Sequence, residues 1–238
     1  MQREYHNWYS PNLGRNMELL VLGHQGAPVL VFPTSQGRFY EFEDRGMVEA
    51  LTDKLDGGFI QLYCVDSVDG ESWYNRGAHP YDRVQRHLAY DRYLSDELVP
   101  LMRVKNSNGF LICTGASFGA TQAVNFGFRH PELVHKIIGL SGRYTMRSYL
   151  DGYFDDNAYY NSPLDYIGGM DGGGDYANKL RLQHLYLMVG QQDLPMCLNE
   201  TRQLSEVLWM KGVPNSFEVW DDCIHDWPCW REQIRKYI

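Results

Sequence analysis

The stretch Gly109-Phe110-Leu111-Ile112-Cys113-Thr114-Gly115-Ala116-Ser117-Phe118-Gly119-Ala120 is an apolar, β-type run that ends in Gly-x-Ser-x-Gly and passes into a helical pattern. It predicts a strand turning sharply into a helix, with Ser117 at the apex in a strained conformation and its hydroxyl clear of the sheet. Gly115 and Gly119 flank it because a side chain at either position would collide with the neighbouring strand or helix. Short glycine-serine patterns recur by chance, so the weight rests on the strand before and the helix after.

Around this turn the chain alternates strands and helices. Upstream, residues 4–10 and 17–23 open as a strand pair, and 28–33 is a continuous apolar run suited to a strand buried on both faces. Residues 40–55 carry a helical period through Phe42, Met47, Val48, Leu51 and Leu55, 59–65 is another buried strand, and 81–102 reads as a long amphipathic helix. Downstream, the helix after Ser117 ends near His130-Pro131, and 134–140 is a strand. Residues 143–178 break into a tyrosine- and glycine-rich insertion. Then come a strand at 182–189, a helix at 199–211 closed by Gly212, a last strand at 216–220 and a helix over 226–238. Nearly all-apolar strands alternating with helices call for an α/β fold: a mostly parallel central sheet with helices on both faces, in one domain over 1–238. Ligands in such sheets bind beyond the carboxyl ends of the strands, so the loops around Ser117, after Val189 and after Trp220 should share one side.

A chain of 238 residues with 44% hydrophobic residues has enough material for a full core. The net charge of −8, with no dense Lys/Arg cluster, argues against a nucleic-acid partner. The polar start Met1 to Trp8 is not a secretory leader, and no run of about 18 apolar residues follows, so the expectation is a cytoplasmic protein without a membrane span. Cys64, Cys113, Cys197, Cys223 and Cys229 are odd in number and hold no Cys-x-x-Cys pair, which favours reduced structural thiols.

A serine hydroxyl needs a base to take its proton, and the base needs a third group to fix its tautomer. His225, in the loop after the last strand, suits the base; the other seven histidines do not fall there. Asp193, leaving the preceding strand, suits the acid. Glu200, Asp221 and Asp222 are competing carboxylates, but one three residues before His225 would be strained to reach its far nitrogen.

The order and spacing of Gly115-Ala116-Ser117-Phe118-Gly119, Arg129 to Leu133, Ile138 to Gly142, Gly190 to Asp193 and His225 to Trp230 resemble an esterase family of α/β-hydrolases. That family includes S-formylglutathione hydrolase-like esterases, feruloyl esterases and the antigen 85 mycolyltransferases. The resemblance runs from about Leu19 onward and implies an α/β-hydrolase fold without a large separate cap domain, and hydrolysis of a small-molecule carboxylic ester through an acyl-enzyme. It makes Ser117 the nucleophile, His225 the base and then acid, and Asp193 the orienting carboxylate. The oxyanion hole would take the Phe118 N–H and a second N–H from Ser35, with Gln36 close behind, in a loop that departs from the family's usual pattern. Acyl transfer by the same triad, and a non-catalytic binding protein on the same fold, are the alternatives.

Substrate-binding candidates are Arg38 and Arg76 for a carboxylate, with Trp73 and Tyr74 in the loop after the strand at 59–65 and Tyr144 at the start of the insertion. The insertion, from Tyr144 to Tyr160, reads equally as an aromatic pocket lid or as ordinary packing. The run Gly168 to Gly174 reads as a flexible connection, lacking phosphate-loop or calcium-loop residues. No cluster has metal-ligand spacing, and nothing calls for a cofactor. Homo-oligomer formation is left open.

Overall fold

A computed structural model describes all residues, 1–238. Eight strands, β1 (Arg3–Ser10), β2 (Arg15–Leu22), β3 (Ala27–Phe32), β4 (Ile60–Val65), β5 (Leu111–Ala116), β6 (Val134–Leu140), β7 (His184–Gly190) and β8 (Ser216–Trp220), form one sheet. Their order is β1-β2-β4-β3-β5-β6-β7-β8, and only β2 runs against the rest. The carboxyl ends of β3, β5, β6, β7 and β8 therefore open on one edge of the sheet.

The central strands β3, β4 and β5 are buried almost from end to end because both faces are covered, whereas the edge strands β1 and β8 are polar and partly exposed; successive side chains serve opposite faces. Leu30, Phe32, Tyr63, Val65, Cys113, Ile137 and Leu187 enter one core with α1 (Pro80–Tyr93), α2 (Phe118–Arg129) and α3 (Pro195–Met210). Their neighbours Val29, Val31, Leu62, Cys64, Ile112, Ile138 and Met188 enter the other core, with α4 (Trp227–Tyr237) and the segment from Phe42 to Leu55.

That segment is not the continuous helix its period suggests. It forms three short helical turns, Glu41–Asp44, Met47–Ala50 and Thr52–Asp56, because Gly46 takes φ +72° and ends the first. The helix expected over 81–102 does continue, but through a π-helical turn at Leu94–Leu98 into Val99–Lys105. Pro100 lacks the N–H that would close an α-turn, and the wider turn before it accommodates that loss. The insertion is a set of short helices, Asp156–Tyr159, Pro163–Gly169 and Asp175–Leu180, so the first part of the glycine run is helical, not a loose connection.

The cysteines also depart from expectation. Cys64, Cys113 and Cys197 are buried free thiols, but Cys223 and Cys229 form a disulfide, Cα atoms 5.6 Å apart. With Cys pairs separated by six positions, sequence spacing alone carries no such signal, since a fold must first turn the loop back onto α4. No helix is long and apolar enough to cross a membrane.

Candidate active site

β5 ends at Ala116, and Ser117 turns the chain into α2 with φ +54° and ψ −122°. The Ser117 N–H donates to Leu140 O at 2.8 Å, which ties the turn to the end of β6. The turn is tight enough that a Cβ on Gly115 would strike the Gly119 backbone, and one on Gly119 would lie 2.5 Å from Phe32 O. Any larger residue at either position would push α2 off β3 and β5.

His225 reaches this serine from the loop after β8. Its Nε2 lies 2.9 Å from Ser117 Oγ and its Nδ1 lies 2.7 Å from Asp193 Oδ1. The loop is docked on the end of β7: the Gln191 N–H donates to Trp220 O at 2.8 Å and the Gln192 N–H to Cys223 O at 3.0 Å. Asp226 starts α4 by accepting the Trp227 N–H at 2.7 Å, and the Cys223–Cys229 disulfide closes a ring of backbone around the histidine. A carboxylate only accepts, so His225 donates from Nδ1 and presents the lone pair of Nε2 to the serine hydroxyl.

Burial pushes the Asp193 carboxyl up, but hydrogen bonds from His225 and Ser141 outweigh it and hold the carboxyl below its ordinary range. Asp193 is thus an anion buried beside an imidazole, suited to stabilise an imidazolium. Cys197, one turn into α3, brings its sulfur into the same corner: Asp193, Cys197 and His225 offer one ligand atom each within 4.8 Å. Burial, with the Asp193 charge beside it, pushes the Cys197 thiol up to about 12, which favours the neutral thiol beside the Asp193 anion.

The loop after β3 carries two backbone N–H groups of different character. Gln36, at φ +57°, donates its N–H to Asp69 Oδ2 at 2.6 Å, so that N–H is engaged. The Ser35 N–H has no acceptor within the chain, and Phe118, first residue of α2, has no intrahelical acceptor for its own. Asp69 was not singled out by sequence; its only signal is its place after the carboxyl end of β4.

Of the substrate-binding candidates, Tyr74 reaches the site. Its hydroxyl lies 2.7 Å from Ser35 Oγ and 3.3 Å from the Tyr149 hydroxyl, and its ring meets Phe118 at 5.1 Å. The others are corrected. Trp73 and Tyr144 are fully buried: Trp73 packs on His87 at 4.9 Å, and the Tyr144 ring lies against Gly139 and Gly142 in the core. Arg38 is paired with Asp66 at 2.8 Å and with Glu18, and Arg76 with Asp151 at 2.9 Å, so each guanidinium already has a carboxylate partner while remaining half exposed. The insertion meets the site through Tyr149, and its Met146, Leu150 and Ala158 share a buried cluster with Phe118. Its later tyrosines, Tyr159, Tyr160, Tyr166 and Tyr176, line a separate cavity of about 530 Å³ beside Arg129, at the far end of α2. Two residues without a sequence signal of their own support the acid: Ser141 donates its hydroxyl to Asp193, and Trp230 donates its indole N–H to Ser141.

No family model and no curated protein sequence matches the chain. Solved structures do match. A ferulic acid esterase superposes with a TM-score of 0.78 at 16% identity, over 99% of this chain and 95% of its own. An S-formylglutathione hydrolase from Agrobacterium tumefaciens gives 0.75 at 12%, over 99% and 92%. A CE1 ferulic acid esterase from Anaeromyces mucronatus gives 0.74 at 12%, over 100% and 89%. At such identities the likeness establishes the fold, which is the α/β-hydrolase fold that the resemblance implies and whose mostly parallel sheet the alternation of strands and helices predicts.

Proposed function

We propose that the chain is a serine esterase that hydrolyses small-molecule carboxylic esters through an acyl-enzyme on Ser117. The observation that carries this is the hydrogen-bonded series Ser117 Oγ, His225 Nε2, His225 Nδ1 and Asp193 Oδ1, with links of 2.9 and 2.7 Å. The solved structures of similar fold, named as ferulic acid esterases and S-formylglutathione hydrolases, support it.

In this reading Ser117 Oγ attacks the ester carbonyl while His225 Nε2 takes its proton. Asp193 stabilises the imidazolium, and the N–H groups of Phe118 and Ser35 receive the developing oxyanion. His225 then returns the proton to the departing alcohol, and water attacks the acyl-enzyme with His225 again as base. The aromatic group of Tyr74, Phe118 and Tyr149, rings 5.1 to 5.5 Å apart, walls the nucleophile on one side. The paired Cys223 and Cys229 favour an oxidising compartment over the cytoplasm expected from sequence.

The test is hydrolysis of p-nitrophenyl acetate together with labelling by a fluorophosphonate. Wild type should turn over the ester and carry the label on Ser117, and Ser117→Ala should do neither. Undiminished hydrolysis by Ser117→Ala would sink the assignment.

A further inference from the structure

The hydrogen bonds that Asp193 accepts are unequal on its two oxygens. Oδ1 takes the His225 Nδ1–H and the Leu194 N–H, both at 2.7 Å. Oδ2 takes the Ser141 hydroxyl at 2.6 Å and the Gly190 N–H at 3.4 Å, a length at which little remains of a hydrogen bond. The Ser141 bond is therefore the one strong restraint on the second oxygen. Because Ser141 must donate to a carboxylate, its oxygen is left to accept, and it accepts the Trp230 Nε1–H at 2.9 Å. An indole only donates, so the proton order from Trp230 through Ser141, Asp193 and His225 to Ser117 is set from its far end.

The backbone at Ser141 makes this informative. Ser141 has φ +57°, a conformation glycine adopts freely and serine does not. Its N–H is bound to Met188 O at 2.8 Å, so the backbone has no freedom to relax. Local geometry alone would place glycine here; the chain places serine, and its buried hydroxyl has two partners, Asp193 and Trp230.

We propose that Ser141, aimed by Trp230, is a positioning residue that sets the plane of the Asp193 carboxylate so that Oδ1 meets the His225 Nδ1–H. The proposal rests on the serine-esterase reading, and Ser141 acts only through Asp193.

Ser141→Gly removes the hydroxyl while suiting the backbone, and Trp230→Phe removes the N–H while keeping a ring. With p-nitrophenyl acetate, Ser141→Gly should lose about 10- to 100-fold in kcat, as expected for one bond to a charged group, with KM nearly unchanged. Its acid limb in kcat/KM should move to higher pH, because a carboxylate short of one donor attracts the imidazolium more strongly. Trp230→Phe should change both in the same direction but less, and the double variant should be no worse than Ser141→Gly, since both act through one hydroxyl. Wild-type kcat with an unmoved acid limb in Ser141→Gly, or losses that multiply in the double variant, would overturn the proposal. A readout free of any substrate separates it from the esterase reading: the low-field proton resonance of the His225 Nδ1–H. That signal should persist in Ser117→Ala and shift or broaden in Ser141→Gly. If Ser141→Gly leaves it unchanged, the positioning role fails, whether or not an ester is turned over.

Discussion

The ring of Trp230 meets that of His225 edge-on, centroids 5.0 Å apart and planes at 88°. The same indole packs on Trp227 at 5.1 Å, so the imidazole leans on the first turn of α4 and not on solvent. Trp230→Ala should therefore cost about 3–5 kcal/mol of stability through the void it leaves. It should also cost more activity than Trp230→Phe, checked by urea unfolding and ester kinetics side by side.

Asp193→Asn keeps the shape of the acid and reverses its chemistry. An amide NH₂ facing His225 Nδ1 favours the tautomer with its proton on Nε2, which cannot accept from Ser117. The loss in kcat should be about 10⁴-fold, with KM little changed. A loss below about tenfold would show that another carboxylate, such as Glu200, serves the histidine.

Asp69 is expected to matter although it does not face the nucleophile. By holding the Gln36 N–H at 2.6 Å it fixes the loop that presents the Ser35 N–H. Asp69→Ala should lower kcat by about tenfold, in the range of a weakened oxyanion donor, and leave fluorophosphonate labelling of Ser117 intact though slower. An unchanged kcat would move the second donor away from Ser35.

Stability should fall with acid in a window set by His87. Burial brings this histidine down to about 4. In the unfolded chain it titrates near 6.5, so between about pH 6.5 and pH 4 the unfolded state binds a proton that the folded state does not. The contribution is complete above about pH 6.5 and declines by about 3 kcal/mol as pH falls to about 4. His87→Gln should flatten that part of the stability curve measured by urea unfolding across this range.

The disulfide is directly countable. Unfolded without reductant, the protein should expose three reactive thiols, from Cys64, Cys113 and Cys197, and five after reduction. Closing so short a loop is worth about 2 kcal/mol, so Cys223→Ser with Cys229→Ser should unfold that much more easily. It should also hydrolyse esters more slowly, as the loop bearing His225 loosens. Five thiols in the untreated protein would refute the pairing.

What the sequence discloses about the fold is what period and apolarity control. The continuous apolar run at 28–33 and the mainly apolar runs at 59–65 and 134–140 announce largely buried strands, and Gly115 and Gly119 announce the close turn at Ser117. The order of Ser117, Asp193 and His225 after three strands identifies the side chains that lie within hydrogen-bonding reach. Ser141 and Trp230 leave no such trace: one is a serine after a strand, the other a helix residue, and their relation spans 89 positions. Trp73 and Tyr144 mislead for the complementary reason, since an aromatic residue in a loop looks the same whether it lines a cleft or fills the core. The break at Gly46 and the π-turn before Pro100 are backbone adjustments that the apolar period passes over.

Five residues other than glycine have positive φ, and four of them, Gln36, Ser117, Ser141 and Asp222, follow the carboxyl ends of β3, β5, β6 and β8. Each carries strain on the order of 1 kcal/mol or more. The rim of the cleft is thus the least relaxed part of the backbone, and a search for heat-tolerant variants will find glycine favoured at the very positions that shape the chemistry. Asp151, the fifth, lies in the insertion and binds Arg76 and Arg83, so thermal hardening and turnover are separable there and opposed along the rim.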